Sequence, residues 1–172
     1  SATSEASIAI GHNGFNGTNY GTINATSSLF VAAGVFARAP GFYNNFGDIN
    51  VTGQIAAYGI GVYVYTLEFN NTGNLIVQAN GAGAESIGIY LHSPMGVQTI
   101  TNSGLIDADI AIRSLHTTNG GALYLNNSGE MHGRIELQFV GGYAQADLIR
   151  NTGLIDGQIR LGGAVDVYNG AG

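Results

Sequence analysis

Three residues carry the ingredients of acid–base chemistry at matching places along the chain. Asp107, His132 and Asp156 each stand third after a glycine, at Gly104, Gly129 and Gly153. If successive glycines mark successive turns of one structure, these side chains stack in one outward column. Paired carboxylates flanking a substrate are what hydrolysis of a glycosidic bond requires. The same column also reads as a solvated polar face in which His132 spaces two like charges. Asp107 and Asp156 are then two turns apart, about 10 Å, too far for a tight pair, so catalysis is the lesser reading. Asp107 with Asp109 offers two carboxylates to a hard cation, short of the six to eight oxygens calcium takes. The expectation is no cofactor and at most weak calcium binding. Tyr58, Tyr63 and Tyr65 lie in a strand-like stretch from Ile55 to Phe69, with Tyr63 and Tyr65 on one face. They read evenly as a contact for a partner or glycan and as large core fillers. His12, His92 and His116 have no matching positions and are expected as isolated surface histidines.

The elements that would position these groups come from a repeat. Asn-x-Gly recurs at Asn19, Asn45, Asn71, Asn102, Asn127 and Asn151, ending at Gly21, Gly47, Gly73, Gly104, Gly129 and Gly153. Successive glycines are 26, 26, 31, 25 and 24 residues apart. A repeat of this length is one supersecondary unit that buries its apolar face only by stacking on its neighbours. The second residue after each glycine is Ile23, Ile49, Leu75, Ile106, Met131 or Ile155, and the fourth is small or β-branched apart from glycine in the last two copies. The eighth is Leu29, Ile55, Gly81, Ile112, Leu137 or Leu161, and the sixth is Ile110, Ile135 or Ile159 in the last three copies. The third and fifth are mostly polar. Even positions inward and odd positions outward is the period of a half-buried strand, not of a helix. Apolar residues two before the Asn, from Tyr43 to Ile149, extend the alternation upstream. Three short strands and three corners fit into each repeat. The expected fold is all-β: a single parallel β-helix of six to seven coils of about 25 residues. The Asn column suits turns and forms side-chain ladders between coils. The glycines let the corner bend without a Cβ clash.

Composition narrows the function classes. The chain has 172 residues, 45% hydrophobic and 9% charged, with net charge −6 and 28 glycines, which describes a folded domain rather than a disordered one. Five basic residues against eleven acidic ones argue against nucleic acid. No apolar run approaches the length of a membrane-spanning helix. Cysteine is absent, which removes disulfides, thiol catalysis and cysteine metal sites. Five N-x-S/T sequons, at Asn16, Asn24, Asn50, Asn70 and Asn126, are expected by chance in so Asn-rich a chain. Ser1-Ala2-Thr3-Ser4 is compatible with the start of an exported chain after leader removal.

Residues 1–172 read as one domain, with 1–18 as an N-terminal cap or partial coil. Asn80-Gly81-Ala82-Gly83-Ala84 reads as a loop inserted at a corner. Further corners are expected at Ser93-Pro94-Met95-Gly96, Thr117–Gly121 and Gly141-Gly142. Residues 165–172 repeat the approach to a corner, so the chain stops within a coil. An open strand edge there recruits further strands. The two readings are a fragment of a longer solenoid and end-to-end self-association into a filament.

Asn102-Ser103-Gly104-Leu105-Ile106-Asp107-Ala108-Asp109-Ile110 and Asn151-Thr152-Gly153-Leu154-Ile155-Asp156-Gly157-Gln158-Ile159 resemble the repeats of autotransporter-like passenger regions. Leu161-Gly162-Gly163-Ala164-Val165-Asp166 is similar to the step between such repeats. Gly162 to Asp166 also faintly resembles one calcium-binding nonapeptide, which works only in tandem. The passenger resemblance is good from about residue 98 onward. It implies a right-handed coil, export through a bacterial envelope to the surface or medium, and adhesion or display. Three functions follow in order: a structural or adhesive surface segment contacting a host-surface or matrix glycan, a filament subunit, and a polysaccharide-acting enzyme.

Overall fold

The computed structural model describes residues 2–3, 7–12, 15–38, 40–63, 66–92, 96–116, 121–139 and 145–170. Every regular element among them is a β-strand, and every strand pair is parallel. The chain winds as a parallel β-solenoid with three faces per turn. The first face holds Thr22–Thr26, Asp48–Gly53, Asn74–Ala79 and Leu154–Asp156. The second holds Ser7–His12, Val31–Ala37, Ala56–Tyr63, Glu85–His92 and Ile159–Arg160. Leu105–His116 and Glu130–Phe139 run across the bend and belong to both, joining the two faces into one sheet. The third face is a separate sheet of Phe15–Asn19, Gly41–Asn45, Leu67–Asn71, Gln98–Asn102, Leu123–Asn127, Leu148–Asn151 and Val167–Gly170. Six Asn corners bound about five turns, one or two fewer than the repeat count suggested, because that count included the partial coils beyond the outermost corners.

The alternation read from the sequence places the core. Ile49, Leu75, Ile106 and Met131 are completely buried on the first face, as are Phe69, Ile100, Leu125 and Ile149 on the third. Neighbouring coils bring like residues into contact, so burial of one apolar column is shared along the whole rod.

The bend between the first and second faces departs from the expected phase. Leu29 and Ile55 were expected inward at the eighth position, yet they are 55% and 53% exposed. In the early coils this bend takes extra residues, at 27–30 and 54–55, and the alternation restarts after it. Residues 80–84 form the corner insertion expected there, and Gly83 takes a positive φ of 73°. In later coils the strand continues through, and Ile112 and Leu137 are buried. Ile110 and Ile135, aligned by counting, are not partners. Ile112 pairs with Ile135, across register shifts after Asp107 and Ile110. Of the expected corners at 93–96, 117–121 and 141–142, only Gly96, with a positive φ of 72°, and Gly121, where an added Cβ would meet the Gly96 carbonyl oxygen, are among the described residues.

Candidate functional site

The most uniform feature is the corner leaving the third face. Asn19, Asn45, Asn71, Asn102, Asn127 and Asn151 are all buried. Each Asn Nδ2 donates to the Oδ1 of the next Asn at 2.7–2.8 Å, from Asn19 through to Asn151. The same amide nitrogens also donate to carbonyls of the following coil, those of Asp48, Asn74, Leu105, Glu130 and Leu154. The backbone repeats the pattern, since Phe46, Thr72, Ser103, Ser128 and Thr152 each donate N–H to the Asn carbonyl of the coil before at 2.8 Å. A primary amide carries both donor and acceptor, so identical copies satisfy each other.

The glycines that complete these corners are required by contact between coils. A Cβ on Gly47, Gly73, Gly104, Gly129 or Gly153 would run into the carbonyl oxygen of the preceding corner glycine. Gly21, with nothing near a Cβ, begins the column. None of the six is among the positive-φ glycines, which are Gly83, Gly96 and Gly133. The expectation of a corner glycine that merely bends is thus sharpened: it admits the next coil.

Asp107, His132 and Asp156 are in register on the first face, facing outward on successive coils. His132 lies between acids, its Nδ1 3.7 Å from Asp156 Oδ2 and its Nε2 3.5 Å from Glu130 Oε2. Asp107 and Asp156 are exposed, and the intervening coil keeps them from forming a close pair. Asp109 turns to the second face instead, accepting from the backbone N–H and hydroxyl of Ser86, both at 2.9 Å. Ser86 Oγ in turn accepts the Asp109 N–H. Among the described residues no three His, Asp or Glu side chains are grouped to hold a metal ion.

Two charged arrangements escaped the sequence reading, because each depends on which coils touch. On the second face Glu85, Arg113, Glu136 and Arg134 close a ring of ion pairs at 2.8–3.1 Å. Burial raises the Glu136 carboxyl, but hydrogen bonds and charge from Arg113 and Arg134 outweigh it, so it titrates below the usual range. Arg113 is held above its ordinary value despite burial, by Glu85 and Glu136. The second arrangement lies at the entry to the third face. Asp147 Oδ1 accepts the Leu123 N–H at 2.7 Å, and Asp166 Oδ1 accepts the Asp147 N–H at 2.9 Å. Burial pushes the Asp147 carboxyl up to about 6, opposed by the Leu123 hydrogen bond and reinforced by the charge of Asp166. Asp166, the acid of the faint nonapeptide resemblance, thus holds a backbone N–H of the neighbouring coil.

His92 corrects the expectation of an isolated surface histidine: it is half-buried, its ring edge-on to Tyr90 at 6.0 Å. Tyr58 stacks on Tyr90 at 5.2 Å. Tyr65 lies outside the described residues, as do the side chains of Tyr63, His12 and His116. No helix among the described residues is long and apolar enough to cross a membrane. No protein-family model, curated protein or solved structure matches the chain.

Proposed function

We propose that this chain is a rigid, non-catalytic segment of an exported bacterial surface protein, serving to display or adhere rather than to turn over a substrate. The observation that carries this reading is the unbroken Asn ladder. The asparagines that the fold buries join one coil to the next, which is the chemistry of a stiff rod. The two carboxyls with shifted titration, Glu136 and Asp147, are likewise engaged in coil-to-coil contacts. The resemblance of residues 98 onward to passenger repeats supports export and surface placement.

Negative-stain electron microscopy with light scattering on the same sample tests it. Discrete, short monomeric rods are the expected outcome. Long fibres of uniform width would replace the stalk with a filament subunit assembled end to end. Release of reducing sugars from a polysaccharide panel would instead revive the enzyme reading and the Asp107–His132–Asp156 column.

A further inference from the structure

The outward side of the third face differs from the other two. On the second face the half-buried Tyr58 and Tyr90 rings stack on each other and the Arg–Glu ring ties three strands together, and on the first the exposed positions are mostly small polar or charged groups. On the third face the strand pairing sets Phe42, Glu68, Thr99 and Tyr124 in one register column along the rod axis. Phe42 and Tyr124 are 41% and 42% exposed, three coils or about 14 Å apart. Between them the exposed Glu68 carboxylate has no hydrogen-bond or ion-pair partner among the described residues. A groove of about 440 Å³ opens here over Gly41, walled by Phe42, Thr66, Glu68, Val97 and Thr99.

The neighbouring outward column is Asn44, Asn70, Thr101 and Asn126. Asn70 Nδ2 donates to Asn44 Oδ1 at 3.0 Å, which leaves the Asn44 amide nitrogen and the Asn70 oxygen to face solvent. Two aromatic rings, a free carboxylate, hydroxyls and amides therefore share one nearly straight strip. The strip holds no cation; the first basic side chain on this face, Arg150, stands beyond Asn126. Aromatic rings take the C–H faces of a ligand whose edges are polar. An unpaired carboxylate accepts from neighbouring hydroxyls, and charge-assisted bonds of that kind are the strong ones. A polyanion would meet Glu68 and a net charge of −6, with Arg150 at the far end of the strip as the one cation beside it.

We propose that the third face binds a neutral, extended polysaccharide chain along the rod axis, with Phe42 and Tyr124 as stacking platforms and Glu68 as the hydroxyl acceptor. The proposal deepens the adhesive reading and rests on the chain not cleaving what it holds. It moves the expected glycan contact away from Tyr63 and Tyr65.

The test is calorimetric and NMR titration of the full chain with cellohexaose, chitohexaose, laminarihexaose and mannohexaose. Oligogalacturonate and a lysine-rich peptide serve as charged competitors. At least one neutral hexamer should shift the amides of Phe42, Glu68, Thr99 and Tyr124, and should bind about tenfold more tightly than its disaccharide. Phe42→Ala and Tyr124→Ala should each weaken it about tenfold with unchanged melting, since both rings are substantially exposed. Glu68→Gln should weaken it less. The proposal is overturned if no neutral hexamer shifts these amides, if the shifts map to another face, or if either charged probe binds the strip more tightly. Chromatography of the titrated sugars separates the two failures: cleavage products refute the non-catalytic reading, whereas intact sugar without binding refutes only the site.

Discussion

The two ends of the third-face strands solve the same problem in opposite ways. At the exit, every coil supplies Asn, and the amides form one continuous ladder. At the entry, the equivalent column is Leu67, Gln98, Leu123 and Asp147. There the Gln98 oxygen accepts the Leu67 N–H at 2.7 Å, and Asp147 accepts the Leu123 N–H in the same way. An amide donates on one side and accepts on the other, so it propagates without limit. An ionised carboxylate only accepts. It can end a backbone hydrogen bond, but a second carboxylate on the next coil repels it, as Asp166 does Asp147. The uniform corner is therefore neutral by necessity, and the mixed corner tolerates charge because it has no ladder to continue.

The most severe way to break this contrast is to put a carboxylate into the ladder. Asn71→Asp keeps the acceptor for Asn45 but loses the donor to Asn102, Gly73 and Leu105, and it buries a charge. A loss of about 3–5 kcal/mol is expected at neutral pH. Part of it should return in acid, where a protonated carboxyl donates again. Chemical denaturation at neutral and acidic pH reads both, and a pH-independent loss would mean that the ladder's polarity is not what matters. Gly73→Ala comes next. Its Cβ would overlap the Gly47 carbonyl oxygen, so two coils must separate locally, at a cost of about 1–3 kcal/mol. A melting curve that matches the unaltered chain would show that the corner gives way more easily than its geometry implies.

At the entry end a single change costs less than a charge buried in the ladder. Gln98→Met keeps most of the buried volume but leaves the Leu67 N–H without its acceptor, costing about 1–3 kcal/mol. Amide exchange at Leu67 should rise with it. Unchanged exchange would mean another acceptor takes over.

The asymmetry between the ends also explains what could be read from the sequence. The exit corner was legible because one residue type recurs at one spacing, and a ladder of identical amides demands that. The inward columns at Ile49, Leu75 and Ile106 were legible for the same reason. The entry corner was not, since Leu67, Gln98, Leu123 and Asp147 share no residue type and become a column only through the register of the strands. The bend before the second face misled the count at Leu29 and Ile55 because its length changes from coil to coil. The Glu85–Arg113–Glu136–Arg134 ring joins residues up to 49 positions apart, and no local pattern announces it. The Asp107–His132–Asp156 column was visible as a column, and its register follows from the ladder beside it.

The last and smallest effect is in pH dependence, where two buried acids should act in opposite directions. Asp147 has a folded-state value of about 6, raised above the ordinary 3.8. Its contribution to stability is fully present below the ordinary value and is lost as pH rises through about 6. Glu136 is lowered instead, so its contribution is present above its ordinary 4.5 and is lost as pH falls through the folded value. Between pH 5 and pH 7 the Asp147 contribution changes and the Glu136 contribution hardly does, and the coils around Asp147 should loosen as pH rises. Asp147→Asn keeps an oxygen for the Leu123 N–H and removes both the titration and the repulsion from Asp166. Amide exchange at Leu123 and in Leu148–Asn151 should therefore lose its pH-dependent opening, after correction for intrinsic rates, with a shift in melting of no more than a few degrees. Persistence of the same pH dependence in Asp147→Asn would assign it to another group and remove the charge argument from the entry corner, leaving the two ends of the strand to differ only in regularity.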